Sequence, residues 1–143
     1  MKIAMGCDHG GYALKCELIK HLEEQGHEVK DFGCYSTESC DYPEFGEAAA
    51  RAVASGECER GIVICTTGIG ISIAANKVKG IRAAVVTNEF MAEMTKRHND
   101  ANIIALGGRV LETEYALKLV DIWLDTEFEG GRHQRRVDML NEM

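Results

Sequence analysis

The sequence of 143 residues contains a single proline and no long apolar run. No apolar stretch approaches the ~20 residues that a membrane-spanning helix requires, so we expect no membrane segment. The first residues also lack the basic, apolar and cleavage regions of a signal peptide, which predicts a cytoplasmic protein. Hydrophobic residues make up 45% and charged residues 27% of the chain, as in an ordinary globular protein. Its length suits one compact domain spanning residues 1–143.

Positive charge and paired cysteines are also scarce. The chain has 16 Lys and Arg against 23 Asp and Glu, which gives a formal net charge of −7. This balance argues against nucleic acid or an anionic membrane as a partner, because both select basic surfaces. None of the six cysteines lies in a Cys-x-x-Cys pair, so we expect reduced thiols without structural zinc.

The apolar pattern predicts five strands that alternate with helices. Strands are expected at 2–7, 27–32, 61–65, 81–87 and 103–107, and helices at 12–25, 44–55, 71–77, 88–97 and 112–124. The polar segment 33–45, which contains Pro43, is expected to be a loop. A helical tail is expected from about residue 130. Because continuous apolar strands are buried on both faces, the predicted fold is a Rossmann-like three-layer α/β/α sandwich on a five-stranded parallel sheet.

In such a sheet, ligands bind beyond the carboxyl ends of the strands, and the loop after Cys65 is the strongest local signal. The segment 66–70, Thr-Thr-Gly-Ile-Gly, opens a helix, so its N–H groups can face an anion. It lacks the Walker lysine, the third glycine of a dinucleotide loop and the arginine of a Cys-x5-Arg phosphatase loop. A helix N-terminus favours a thiolate, which makes Cys65 a candidate base or nucleophile. The alternative is a buried cysteine before a turn that binds no ligand.

Polar residues at two other helix ends have both a functional and a structural interpretation. Asp8 and His9 follow the first strand and could contact a sugar or a phosphate, although Asp8 could equally cap the next helix. A metal site formed by His9 with Cys7 and Cys65 is disfavoured, because their spacing matches no recognised site. His98 closes a predicted helix, where histidine is also a common C-terminal cap.

A basic tail carries Arg132 and Arg136, which are four residues apart and share a helical face. Two guanidinium groups on one face fit a phosphate. The alternative is a solvated basic end on an acidic protein.

Several blocks of residues together closely resemble ribose-5-phosphate isomerases of the B type, within a wider family of sugar-phosphate isomerases. The blocks are Gly6-Cys7-Asp8-His9-Gly10-Gly11, Asp41-Tyr42-Pro43, Cys65-Thr66-Thr67-Gly68-Ile69-Gly70-Ile71-Ser72, Ala74-Ala75-Asn76-Lys77, His98-Asn99-Asp100-Ala101-Asn102 and Gly130-Gly131-Arg132-His133. The resemblance implies a five-stranded parallel sheet with the strand order 2-1-3-5-4.

The resemblance also implies interconversion of ribose 5-phosphate and ribulose 5-phosphate through an enediolate, without a metal or cofactor. It implies that Cys65 is the base, that Thr67 relays a hydroxyl proton, and that His98 opens the sugar ring. The residues that it implies for substrate binding are Asp8, His9, Tyr42, Thr66, Gly68, Ile69, Gly70, Asn99, Arg109, Arg132 and Arg136. It further implies a homodimer or a dimer of dimers with shared active sites, in which His98 and Asn99 come from the partner chain.

The chain departs from the family pattern at Thr66, where most relatives have glycine after the cysteine. Two other functions stay open at this stage. One is an allose 6-phosphate or galactose 6-phosphate isomerase of the same family, although the His-Asn-Asp and Gly-Gly-Arg-His blocks favour the pentose over galactose phosphate. The other is a noncatalytic nucleotide-binding module, against which the incomplete glycine motif and the missing Walker lysine both count.

Overall fold

The structure is a computed structural model that describes residues 1–143. Its strands are β1 (Lys2–Cys7), β2 (Glu28–Asp31), β3 (Arg60–Cys65), β4 (Ala83–Val85) and β5 (Ile103–Gly107). Its helices are α1 (Tyr12–Glu24), α2 (Tyr42–Ala54), α3 (Ile69–Asn76), α4 (Glu89–Arg97), α5 (Thr113–Asp125) and α6 (Arg132–Glu142). None of these helices is both long and apolar enough to pass through a membrane.

The strands form one parallel sheet in the order β2-β1-β3-β5-β4, which confirms the predicted fold and strand order. The central strands are buried on both faces, with alternate side chains entering two separate cores. In β3, Ile62 and Ile64 face a core formed with α1 and α5, which contains the fully buried Trp123. Val63 faces the opposite core, which α2 and α3 cover. This two-sided burial explains the continuous apolar strands in the sequence.

Some predicted boundaries were wrong at the starts of helices and at the sheet edge. Helix α2 begins at Tyr42, so Pro43 lies in its first turn and not in a loop. Proline is tolerated there because the first N–H groups of a helix have no intrahelical acceptor. Helix α3 begins at Ile69, directly after Gly68, two residues earlier than expected. Strand β4 is only three residues long and pairs with β5 alone, as an edge strand.

Because all strands run in the same direction, their two ends lie on opposite sides of the sheet and differ chemically. We call the side where the strands end the carboxyl edge and the side where they begin the amino edge. At the carboxyl edge, β1, β3 and β5 end and their loops begin. At the amino edge, the C-terminal end of α4 leads back into β5. Helix α6 is the last element of the chain, and the segment before it contacts the end of α4. A helix that returns between parallel strands runs antiparallel to them, so the end of α4 lies opposite the carboxyl edge. Every candidate site residue lies near one of these two edges.

Candidate active site

Hydrogen bonds between backbones join three loops at the carboxyl edge. The N–H of Asp8, after β1, donates to the carbonyl of Ile64 at 3.1 Å. The N–H of Gly108, after β5, donates to the carbonyl of Cys65 at 2.8 Å. The loops after β1 and β5 are therefore held directly against the end of β3, where the candidate base lies.

Cys65 is the last residue of β3 and is only 5% exposed. The N–H of Gly68 donates to its Sγ atom at 3.2 Å. Gly68 has a φ of 82°, a left-handed conformation that glycine adopts most readily, and a Cβ atom there would lie 2.9 Å from the carbonyl carbon of Leu106. This turn therefore requires glycine, and it directs an N–H donor at the sulfur, which stabilises negative charge on that atom.

Thr66 packs tightly against the loop after β1. A Cβ atom built on Gly10 would lie 2.2 Å from the Thr66 hydroxyl oxygen and 3.0 Å from the Thr66 nitrogen. The Thr66 carbonyl accepts a hydrogen bond from the N–H of Arg109 at 3.1 Å. Thr66 is thus accommodated because Gly10 has no side chain.

The start of α3 presents polar groups beside the cysteine. The Thr67 side chain is exposed, and its hydroxyl accepts a hydrogen bond from the N–H of Ile69 at 3.2 Å. Its own proton stays free to be donated. Tyr42 lies over the first turn of α3, because a Cβ atom on Gly70 would be 2.7 Å from Tyr42 Cζ. The first-turn N–H groups of a helix lack intrahelical acceptors, so this end of α3 can hydrogen-bond an anionic oxygen.

Asp8 and His9 are fixed beside the same loop. Asp8 is buried, and its Oδ1 atom accepts from the N–H of Gly10 at 2.9 Å. Gly11 is the N-cap of α1, so the alternative role of Asp8 as that cap was wrong. His9 Nδ1 accepts from the N–H of Cys40 at 3.2 Å, which places the proton of a neutral His9 ring on Nε2. The Nε2 proton of this exposed ring is therefore available to a ligand.

His98 and the basic tail lie together at the amino edge. His98 is the C-cap residue of α4, and its N–H donates to Met94 O at 2.8 Å, so the alternative position as a cap was correct. The N–H of Glu129 donates to Arg97 O at 3.0 Å and holds the segment before α6 on the end of α4. The His98 ring stacks on His133, with centroids 4.3 Å apart and an interplanar angle of 11°.

Within a single chain, the predicted site residues therefore lie in two separate groups. The carboxyl-edge group contains Asp8, His9, Tyr42, Cys65, Thr66, Thr67, Gly68, Ile69, Gly70 and Arg109. The amino-edge group contains His98, Asn99, Arg132 and Arg136. At about 3.3 Å per residue, the length of β5 alone separates the two groups by roughly 15 Å. One copy of the chain does not bring Cys65 and His98 together.

The sequence did not single out Glu129, or His133 outside the Gly-Gly-Arg-His block. His133 is 6% exposed, and no hydrogen-bond partner contacts its Nε2 atom. Burial lowers the pKa of His133, and the nearby His98 and Arg132 lower it further. A buried histidine within a short polar helix has no sequence signal of its own, because its burial comes from the stacking against α4.

A parallel α/β sandwich with a thiol and oriented N–H donors at its carboxyl edge defines an α/β enzyme scaffold. Residues 3–140 match the family described as Ribose/Galactose Isomerase, and the chain belongs to that family. It is an isomerase, so the alternative of a noncatalytic nucleotide-binding module was wrong.

Individual relatives agree over nearly the whole chain. Ribose-5-phosphate isomerase B of Escherichia coli (strain K12) is 52% identical over 139 residues, which are 97% of this chain and 93% of the relative. The structure of ribose-5-phosphate isomerase B from Clostridium thermocellum is similar with a TM-score of 0.98 and 61% identity, covering 99% of this chain and 96% of the other. The enzyme of that name from Mycoplasma genitalium, with bound ribulose-5-phosphate, gives a TM-score of 0.94 and 39% identity, covering 99% and 94% of the two chains.

Proposed function

We propose that this isomerase interconverts D-ribose 5-phosphate and D-ribulose 5-phosphate, with Cys65 as the base. The observation that carries the proposal is the position of Cys65 Sγ at the carboxyl edge, 3.2 Å from the N–H of Gly68. The full-length similarity to enzymes named ribose-5-phosphate isomerase B supports the choice of substrate. The six free cysteines fit the reducing cytoplasm, where we place the reaction.

The chemistry moves one proton between neighbouring carbons of the open-chain sugar. The Cys65 thiolate removes the proton from C2 of the aldose, and the electron pair moves toward the C1 carbonyl to form an enediolate. The resulting thiol returns the proton to C1, which leaves the carbonyl at C2. Thr67 transfers a proton between the two oxygens, since its hydroxyl proton is free to be donated. N–H groups at the start of α3 stabilise the negative oxygen. No step requires a metal or a cofactor.

The phosphate end of the substrate requires cationic groups, which this acidic chain concentrates in α6. Arg132 and Arg136 are exposed and lie one helical turn apart, so both guanidinium groups can donate to one phosphate. Asp8, Tyr42 and Asn99 would hold sugar hydroxyls in this arrangement. His9 Nε2 and the Arg109 side chain complete the polar lining, and the backbone of residues 66–70 lies beneath the reacting carbons.

Opening of the sugar ring by His98 requires a second copy of the chain, because His98 and Cys65 lie at opposite edges of one sheet. We propose a homodimer, alone or paired as a dimer of dimers, in which each site combines the carboxyl-edge group of one copy with the amino-edge group of the other. Ile69 and Ile73 support this arrangement, since they lie one turn apart on α3 and are 56% and 55% exposed. Exposed apolar side chains next to a catalytic loop favour burial against a partner.

A hexose phosphate is the second candidate substrate, and the family description itself includes galactose. The pentose is favoured because the blocks that contain His98, Asn99 and Arg132 resemble those of ribose-5-phosphate isomerases of the B type. Rates measured side by side on ribose 5-phosphate, allose 6-phosphate and galactose 6-phosphate distinguish these substrates.

A purified heterodimer of two inactive variants tests the shared site. Cys65→Ala and His98→Asn subunits are coexpressed with different affinity tags, and dimers that carry both tags are isolated. One site then contains both substitutions, whereas the other contains neither. We expect this heterodimer to have about half the activity of the wild-type dimer, because one of its two sites is intact.

The matched control is a doubly tagged dimer in which both subunits carry Cys65→Ala, and it should be inactive. If each site were contained within one chain, both sites of the mixed dimer would carry one substitution. An inactive mixed dimer would therefore contradict the shared site.

A further inference from the structure

We propose that His98, Glu129 and His133 form a binding site for a divalent transition-metal ion such as Zn²⁺, and that the bound ion inhibits the enzyme. One ligand atom from each residue lies within 4.8 Å of the other two. The three donors are two imidazole nitrogens and a carboxylate oxygen, a set that zinc commonly takes in proteins. Three protein ligands leave a fourth position for water.

The His133 side chain provides a second, independent reason. It is 6% exposed, yet its Nε2 atom has no hydrogen-bond partner, whereas buried polar atoms are usually paired. The nearest carboxylate oxygen, Glu129 Oε1, is 3.7 Å away, which is too far for a hydrogen bond. A metal ion between the two side chains would coordinate both atoms.

The environment of His133 also favours its role as a metal ligand. A histidine binds a metal only through an unprotonated nitrogen. Burial lowers the pKa of His133, and the neighbouring His98 and Arg132 lower it further. A lowered pKa favours the unprotonated ring that a metal ion requires, and the geometry of the three ligands carries the proposal.

Binding requires the stacked rings of His98 and His133 to open. An ion lies in the plane of each imidazole that it binds, and these two rings are nearly parallel, at 11°. With zinc–nitrogen bonds of about 2.0–2.1 Å, two ligands of a tetrahedral ion are roughly 3.3 Å apart. The ligand atoms therefore approach one another by at most about 1.5 Å. His98 can make this movement, because it is only half-buried and lies at the end of α4.

Neighbouring arginine side chains limit the affinity of this site for a metal ion. Arg97 Nη2 lies 3.5 Å from the other oxygen of Glu129 and competes for its charge. Arg132 and Arg136 lie close enough to lower the pKa of His133, and they repel a second cation in the same way. We therefore expect the ion to bind reversibly, with a dissociation constant on the order of micromolar. This binding is far weaker than that of zinc at a structural site.

The expected inhibition by zinc rests on the proposed role of His98 in opening the sugar ring. The binding of zinc does not depend on that role. An ion that occupies the His98 lone pair prevents this ring from exchanging a proton with the sugar. Zinc should therefore slow the reaction, and a chelator should restore the full rate.

The test compares the wild-type dimer with Glu129→Gln and His133→Gln, two residues outside the proposed catalytic groups. Zn²⁺ binding is measured by calorimetry on metal-free protein, and Co²⁺ binding by its visible absorption. We expect each substitution to weaken zinc binding at least about tenfold, because losing even an outer-shell partner of a metal ligand has that effect. The Co²⁺ spectrum should show tetrahedral bands without a thiolate charge-transfer band. Asp138→Asn, which removes an exposed acid from α6, should bind zinc like the wild type.

Equal zinc affinity in the wild type and both variants would overturn the site. A thiolate band that disappears in Cys65→Ala would also overturn it, because the ion would then be bound by cysteine. Inhibition of Glu129→Gln at the same zinc concentration as the wild type would overturn the inhibitory part of the proposal. Calorimetry does not depend on turnover, so a failure of the proposed isomerase mechanism leaves the binding result interpretable.

Discussion

Replacing Cys65 with alanine should lower kcat for ribose 5-phosphate on the order of 10³-fold, since a positioned base contributes about 10²–10⁴-fold. Alanine keeps the Cβ atom and removes only the sulfur, and Gly68 also packs against the backbone of Leu106, so the loop that Gly68 closes should keep its conformation. Cys65→Ser should be nearly as inactive, because a hydroxyl is a far weaker base than a thiolate. The measurements are ribulose 5-phosphate formation and solvent deuterium incorporation at C2 of the remaining ribose 5-phosphate, which reports the proton transfer itself.

Binding and a second cysteine provide the controls for this experiment. Inorganic phosphate should bind Cys65→Ala as tightly as the wild type, because the phosphate is held by other residues. Cys16→Ala replaces an exposed thiol on α1 and should keep full activity. If Cys65→Ala exchanged the C2 proton at nearly the wild-type rate, another group would have to be the base.

Replacing Arg132 or Arg136 with alanine should raise KM for ribose 5-phosphate and weaken competition by inorganic phosphate. Removing a hydrogen bond to a charged group costs about 1.5–3 kcal/mol, which corresponds to roughly 10- to 150-fold in affinity. Lysine at either position should recover only part of the loss, because a point charge cannot replace the planar guanidinium group. Steady-state kinetics with phosphate as a competitor measures both effects.

The double variant and a remote arginine complete the experiment. Arg132→Ala combined with Arg136→Ala should raise KM more than either change alone. Arg51→Ala removes the same charge from an exposed position on α2 and should leave KM unchanged. Should the double variant dimerise with an unchanged KM and unchanged phosphate inhibition, the tail would be only a solvated basic end.

Strands were the part of the fold that the sequence predicted best. The run Ile62-Val63-Ile64 is apolar because each face of β3 contacts a different core, and that pattern is visible without coordinates. The predicted start of α2 was wrong because Pro43 indicates a loop by its composition alone, although proline also fits the first turn of a helix. The interpretation of residues 1–143 as a single domain stays a prediction.

The carboxyl-edge group was predictable, because parallel strands bring their loops to one edge. The position of His98 at the amino edge follows from the same predicted topology, because the helix before β5 runs antiparallel to the strands, but the approach of the C-terminal tail to His98 does not. The stacking of His98 on His133 depends on the packing of α6 against α4, a contact between segments that are distant in the chain. Only the resemblance to a known family implied that these residues complete a site in a second copy.

The close approach of Gly10 and Thr66 constrains how this loop can change during evolution. Thr66 fits only while position 10 has no side chain, because a Cβ atom there would lie 2.2 Å from its hydroxyl oxygen. Replacing Thr66 with glycine would not by itself make room for a side chain at position 10, because the backbone nitrogen of residue 66 would still lie 3.0 Å from that Cβ atom. Position 10 should therefore stay glycine whatever residue occupies position 66. Any side chain at position 10 would distort the loop after Cys65, because it would press on the backbone of residue 66 as well as on the Thr66 hydroxyl.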